Sequence, residues 1–230
     1  MPADGMPVAL VTGAQGALGS AVTGVFRGAG FRVAAVARRW KESTPAPDFL
    51  AIDADVTTRA GAEFSAQRAM AAFGHIDALL HLVGGFEGGQ PLQHTPEETW
   101  TRMLQVNLHS SVMMMTAVIP LLKQRGCGRI VMIGSRAAIE PPAGLSAYVA
   151  SKAALLGVVK VAAAELRPAG ITVNAVVPST LDTPANREAM GESTASQWVQ
   201  PASLASLLLW LCSDAGRDIT GAWIPVYGRM

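Results

Sequence analysis

Val8-Ala9-Leu10-Val11-Thr12 runs straight into Gly13-Ala14-Gln15-Gly16-Ala17-Leu18-Gly19 and then into helical spacing, and this stretch decides the fold. A strand, glycine turn and helix in this order bring a diphosphate up to bare backbone, where unpaired N–H groups and the positive helix end favour anionic oxygens. Gly13 supplies the tight turn, Gly16 the close approach and Gly19 the helix-to-strand contact, with Gln15, Ala17 and Leu18 on the same turn. Three glycines in an ordinary strand-to-helix turn would look alike, so the surroundings must decide. The turn follows the first strand of the chain, and a basic pair closes the second.

That second strand, Arg32 to Ala37, ends in Arg38-Arg39. In dinucleotide-binding folds its tip meets the adenosine ribose, where an acid binds two hydroxyls and a basic residue accommodates a 2′-phosphate. Ala37 stands where the acid is expected, and Arg38 follows it. A carboxylate repels a phosphate dianion, whereas a guanidinium grips it with paired hydrogen bonds. NADP(H) is therefore favoured over NAD(H).

Working outward, short β-rich runs alternate with longer helical ones. Strands are expected at 8–12, 32–37, 49–53, 78–83, 129–134, 171–177 and 222–226, and helices at about 17–28, 58–73, 96–124, 146–167 and 201–213. This alternation implies βαβ units and an α/β fold with a doubly wound, mostly parallel sheet of seven strands, covered on both faces. No linker, repeat or charge block divides residues 1–230, which read as one domain. Residues 179–199, rich in Thr, Ser, Asp and Pro, match neither pattern and read as a substrate-binding loop or lid.

Composition narrows the function classes. Of 230 residues, half are hydrophobic and 15% charged, with a net charge of +1. A disordered chain is excluded, and there is no electrostatic footprint for nucleic acid. Two cysteines are too few for a secreted disulfide scaffold, so a reducing, cytoplasmic setting is expected. The start lacks the basic and apolar regions of a signal peptide. Runs such as Val112 to Leu122 fall short of the roughly 18 to 20 apolar residues of a membrane span.

Tyr148-Val-Ala-Ser-Lys152 sets a phenol and an ammonium four residues apart near a helix start, on one face. Bringing a phenol from pKa ~10 to neutrality takes roughly 4 kcal/mol. A cation at ~5 Å and an effective dielectric near 20 supplies about 3 kcal/mol, so Lys152 is expected to lower Tyr148. Upstream, Ser135 ends a strand, where a hydroxyl points into the ligand crevice. It lacks the G-x-S-x-G elbow of the α/β-hydrolases. Asn107 lies in a helical stretch that suits asparagine poorly, and is expected to mark a local break holding a water.

These residues resemble the short-chain dehydrogenase/reductase family over essentially the whole chain. Its TGxxxGxG turn corresponds to Thr12 to Gly19, with Ala17 in place of the middle glycine, and its Asn, Ser, Tyr, Lys tetrad to Asn107, Ser135, Tyr148 and Lys152. The resemblance implies a Rossmann-type domain whose cofactor also meets Asp55 and Val56, Val83 and Gly84, and Pro178, Ser179, Leu181 and Thr183, besides Tyr148 and Lys152. The family's NNAG becomes His81-Leu-Val-Gly84, and its proline-glycine becomes Pro178-Ser179. The stretches 83–89 and 178–187, with Trp198, resemble dihydropteridine reductases, whereas the catalytic set is closer to 3-oxoacyl-carrier-protein reductases and other carbonyl reductases.

The implied chemistry is hydride transfer to or from a small carbonyl or alcohol, with Tyr148 as acid/base, Ser135 polarising the oxygen, Lys152 tuning Tyr148 and Asn107 holding a water. Reduction of a quinonoid pterin and non-catalytic NADP(H) sensing are the alternatives. His75, His81, His94 and His109 lack metal-ligand spacing, so no metal is expected, and His81 reads as a satisfied strand-end residue. Met113 to Met115 read as core. Two helices, 107–123 and 148–166, are apolar almost all round, which together with the resemblance suggests a homodimer or homotetramer built through them. Neither nucleic acid nor membrane is expected as a partner.

Overall fold

Every residue of β1 (Val8–Thr12) is buried, and its alternate side chains enter two different cores. Leu10 packs on one side with Met114, Leu155 and Val173, while Ala9 and Val11 pack on the other with Val22, Phe26 and Leu208. A strand apolar on both faces needs a layer over each, which is why its sequence is an unbroken apolar run. The computed structural model describes residues 5–40 and 46–230; the first four residues, within the segment read as carrying no leader, lie outside it.

The sheet continues through β2 (Arg32–Ala37), β3 (Phe49–Asp53), β4 (Ala78–His81), β5 (Gly128–Ile133), β6 (Ile171–Pro178) and β7 (Trp223–Val226). Its spatial order is β3-β2-β1-β4-β5-β6-β7, and every pair is parallel. α1 (Ala17–Gly28) and α7 (Pro201–Cys212) cover one face. α2 (Arg59–Phe73), α4 (Ser110–Arg125) and α5 (Ser146–Leu166) cover the other. The chain runs outward from β1 to β3 and then crosses back to β4, so the carboxyl ends of β1 and β4 part at the switch point where such sheets bind ligands.

Three local features refine the expected elements. β4 stops at His81, two residues short of Val83, because the Thr12 hydroxyl takes the Leu82 N–H at 3.2 Å. The local break expected at Asn107 is a π-helical turn, Gln105–His109, between α3 (Glu97–Leu104) and α4. Residues 179–199 are not an unstructured loop: α6 (Pro184–Met190) and a 3₁₀ turn, Ala195–Gln197, occupy them. The Thr183 hydroxyl caps α6 by accepting the Asn186 N–H, with Pro184 in the first turn, a legible start signal. Asp182 then grips Arg187 through two hydrogen bonds of 2.6 and 2.9 Å and accepts a third from Gln200 at 2.8 Å. Those bonds hold its carboxyl down at about 2.

Continuous helix runs from Glu97 to Arg125 and from Ser146 to Ala169, and both stretches are long and apolar enough to cross a membrane by length and composition. The uninterrupted apolar runs within them are shorter. Here that apolarity serves the core: Met114, Val118 and Leu122 of the first, and Leu155, Leu156 and Val159 of the second, are buried in the layer over the sheet. The methionine run follows the same logic, with Met114 and Met115 buried.

Candidate active site

At the end of β1 the turn begins with Gly13 at φ +69°, a left-handed conformation that a side chain would strain. Gly19 is pressed onto the same turn: a Cβ there would stand 2.1 Å from the Gly13 carbonyl oxygen and 2.6 Å from the Ala14 Cα. Both glycines therefore give the bare, tightly wound backbone that a diphosphate requires. A groove of about 420 Å³ opens beside it, lined by Gly13, Gly16, Ala17, Leu18 and Gly19 on one wall and by Leu82, Thr183, Pro184 and Ala185 on the other. Thr183 thus shares the groove with the glycine turn. Leu82, Pro184 and Ala185 were not singled out from sequence, although Pro184 follows the capping threonine directly.

Other residues expected at the cofactor do not line this groove. Gln15 is exposed at the turn and does not line the groove. The Ser179 N–H and hydroxyl donate to the Val226 and Tyr227 carbonyls, so both are spent on the β7 edge. Pro178 is the buried end of β6, and Leu181 bridges to Val199. Val83 packs against the core, and Val56 is buried in it. The Asp55 carboxylate accepts the Thr57 hydroxyl at 2.7 Å and the Thr57 N–H at 3.0 Å. Those bonds, with a smaller contribution from the Arg38 charge, hold Asp55 below its usual range. Arg38 itself is exposed beyond β2.

The end of β5 gathers the rest. The Ser135 hydroxyl bonds the Tyr148 phenol, and the Lys152 Nζ donates to the Ile133 carbonyl at 2.8 Å. One face of α5 is thereby docked on two residues of a single strand end, as the four-residue spacing predicts. Gly84 lies against the same ammonium, where a Cβ would be 3.2 Å from Nζ and 3.1 Å from the Asn107 Oδ1. Burial brings Lys152 down to about 8.

Two expectations about this corner need correction. Tyr148 is raised above its usual value of 10 rather than lowered: burial disfavours the phenolate more than the Ser135 bond favours it. Asn107 clamps a loop instead of presenting free polar atoms. Its Oδ1 accepts the Gly85 N–H at 2.9 Å, and its Nδ2 donates to the Gly85 carbonyl and the Ser151 hydroxyl, both at 3.0 Å. Its own carbonyl accepts the Ser111 hydroxyl at 2.9 Å. The buried amide thus fixes the loop after β4 to the helix that carries Tyr148 and Lys152.

His81 is a further tie. Its Nδ1 lies 2.9 Å from the Thr12 hydroxyl and its Nε2 3.0 Å from Ser110. Ser110 gives its proton to the Val106 carbonyl at 2.7 Å, so its oxygen accepts from Nε2–H and Nδ1 accepts from Thr12. Burial and the nearby Lys152 charge push this neutral imidazole down to about 3. Sequence reasoning missed Phe86, whose ring stands edge-on to Tyr148 with centroids 5.0 Å apart while the side chain remains exposed. Nothing in the local pattern of glycines around it signals that contact.

A strand-end serine bonded to a tyrosine, a lysine one helical turn on and a glycine cradle at the switch point define a nucleotide-dependent oxidoreductase site. The chain belongs to the short chain dehydrogenase family, whose model matches residues 7–193, and is an NAD(P)-dependent short-chain dehydrogenase/reductase. Among curated relatives, the 3-oxoacyl-[acyl-carrier-protein] reductase FabG of Salmonella typhimurium is 30% identical over 236 aligned residues, covering 97% of this chain and 96% of the relative. Among solved structures, the 3-ketoacyl-(acyl-carrier-protein) reductase from Brucella melitensis complexed with NADH is 28% identical at a TM-score of 0.86, covering 97% of this chain and 98% of that one. The aldohexose dehydrogenase of Thermoplasma acidophilum is 27% identical at a TM-score of 0.88, covering 97% and 93%.

Proposed function

We propose that the chain is an NADP(H)-dependent carbonyl reductase, acting on 3-oxoacyl thioesters or similar small carbonyl compounds, with Tyr148 as its acid/base. The observation that carries this is the Ser135–Tyr148 bond at the carboxyl end of β5, on the same sheet edge as the glycine turn that follows β1. A bound dihydronicotinamide supplies the hydride. The protein does the remainder: Tyr148, protonated because burial raises it, donates its hydroxyl proton to the substrate oxygen. Ser135 holds the same oxygen. Lys152 anchors the helix at Ile133 and offers its remaining N–H groups toward Gly84. Glycines whose added Cβ would meet backbone or the ammonium fit a dinucleotide laid along this edge. Arg38 and the absence of an acid at Ala37 support the 2′-phosphate form. The segment 179–199, braced by Asp182 and Arg187, acts as the substrate-side wall or lid.

The test is consumption of NADPH and of NADH with a 3-oxoacyl thioester, simple ketones, a quinone and a quinonoid dihydropterin. Turnover of the thioester or a ketone with NADPH preferred is the expected result. Turnover of the pterin alone assigns the chain to that reaction instead, and NADPH binding with no turnover of any compound makes it a nucleotide sensor.

The outward face of α5 carries Ala153, Ala154, Gly157 and the 58%-exposed Val161, an apolar strip bordered by the exposed Lys160 and Glu165. It supports a homodimer or homotetramer through helices 107–123 and 148–166. Sedimentation equilibrium is expected to return two or four chain masses, and a monomer at micromolar concentration counts against it. Both cysteines are free thiols, in keeping with a cytoplasmic enzyme; recovery from the soluble cell fraction checks that placement.

A further inference from the structure

Trp40 closes the Arg38-Arg39 segment and is fixed from three sides. Its backbone N–H donates to the Asp53 carboxylate at 2.6 Å, and its indole N–H donates to the Ile52 carbonyl at 3.1 Å. Its ring stands edge-on to Phe49, centroids 5.8 Å apart. Phe49 in turn carries the Arg27 guanidinium 5.1 Å from its centroid, and Arg27 holds Asp48 through two hydrogen bonds of 2.8 and 2.9 Å. Both ends of β3 therefore grip the residue that follows the two arginines.

Asp53 has a second relation to this segment. In the β2–β3 register it lies directly opposite Ala37, the position where an acid would bind the ribose hydroxyls. A carboxylate one strand over could take those hydroxyls in place of the missing acid. Its Oδ1, however, is engaged by the Trp40 N–H, a charge-assisted bond short enough to hold the backbone two residues beyond Arg38. The same bond thus turns a carboxylate oxygen away from hydroxyl recognition and fixes the chain that presents an exposed guanidinium.

We propose that Asp53 and Trp40 are positioning residues for cofactor choice, a clamp that aims the Arg38 segment at the 2′-phosphate of NADP(H). The proposal rests on the NADP(H) preference argued above. Freed from the clamp, Arg38 becomes a mobile loop residue that must be ordered each time the phosphate binds, and that ordering lowers affinity for NADPH but not for NADH, which lacks the phosphate.

The experiment is calorimetric titration of NADPH and, separately, NADH into the wild type and the Asp53→Ala, Asp53→Asn and Trp40→Phe variants, with melting temperatures taken in parallel. Asp53→Ala is expected to weaken NADPH about tenfold and NADH less than about twofold. Asp53→Asn keeps an oxygen for the Trp40 N–H and is expected to retain most of the preference. Trp40→Phe loses only the indole bond and is expected to weaken NADPH about threefold, which keeps the proposal testable if Asp53→Ala does not fold. Equal loss for both nucleotides marks a merely structural role and overturns the clamp, as does an Asp53→Ala variant with its preference intact. Loss of NADH binding alone would show that Asp53 serves the ribose hydroxyls, and also overturns it. A wild type that binds both nucleotides equally overturns the NADP(H) preference itself, and the clamp with it.

Discussion

Tyr148→Phe is expected to lower kcat for carbonyl reduction by about 10³-fold while leaving NADPH affinity within about twofold of wild type. The ring, its edge contact with Phe86 and the helix docking through Lys152 all survive the substitution. Only the hydroxyl goes, with its bond to Ser135 and its proton. Loss of that bond costs about 1 kcal/mol of stability, too little to unfold the chain, so a collapse in rate cannot be blamed on the fold. Steady-state kinetics and a parallel NADPH titration decide the matter, and a variant that keeps a tenth of the wild-type rate removes Tyr148 from the chemistry. The direction of the Tyr148 shift adds a pH signature. A phenol held above 10 stays protonated through neutral pH, so the wild type's reduction rate is expected to vary little between pH 6 and 8 from this group. Alcohol oxidation needs the phenolate and is expected to climb as pH rises toward that raised value.

How far the sequence reaches is clearest at this corner. The order of strands and helices is written in local patterns, because buried parallel strands are unbroken apolar runs and their crossovers carry helical spacing. Tyr148 and Lys152 are joined by a helical turn, so spacing alone puts them on one face. What those groups then touch depends on residues far along the chain. Nothing near Lys152 announces that its ammonium meets the Ile133 carbonyl, and nothing near Tyr148 announces how deeply its phenol is buried, which is what reverses the sign of its shift. Asn107 teaches the same lesson. Its poor fit to a helix correctly marks an irregular turn, yet its partners Gly85 and Ser151 are 22 and 44 residues away. The short helix at 184–190 was legible in Thr183-Pro184, but seven residues give too little periodicity to recognise without the cap.

Gly19→Ala is expected to cost the protein both stability and nucleotide binding, and the reason lies in one distance. The added Cβ would stand 2.1 Å from the Gly13 carbonyl oxygen, and the obstructing atoms are backbone that no rotamer change can move. Either α1 slides away from the turn or the turn itself opens. Forcing a carbon into such a site costs about 3 kcal/mol, which for a chain of this size lowers Tm by roughly 6 to 12 °C. An opened turn no longer aims its N–H groups at one point, so NADPH affinity is expected to fall about 100-fold. Gly16→Ala is the informative control. Its Cβ would lie 3.3 Å from the same oxygen, a tight contact relieved by a few tenths of an ångström, so Tm should change by no more than about 3 °C. Differential scanning fluorimetry with and without NADPH reads both quantities for both variants. If Gly19→Ala melts with the wild type and is stabilised equally by NADPH, the close-packed turn is not what holds the diphosphate. If Gly16→Ala loses nucleotide binding while keeping its Tm, the bare surface at Gly16, rather than the tight winding at Gly19, is what the nucleotide requires.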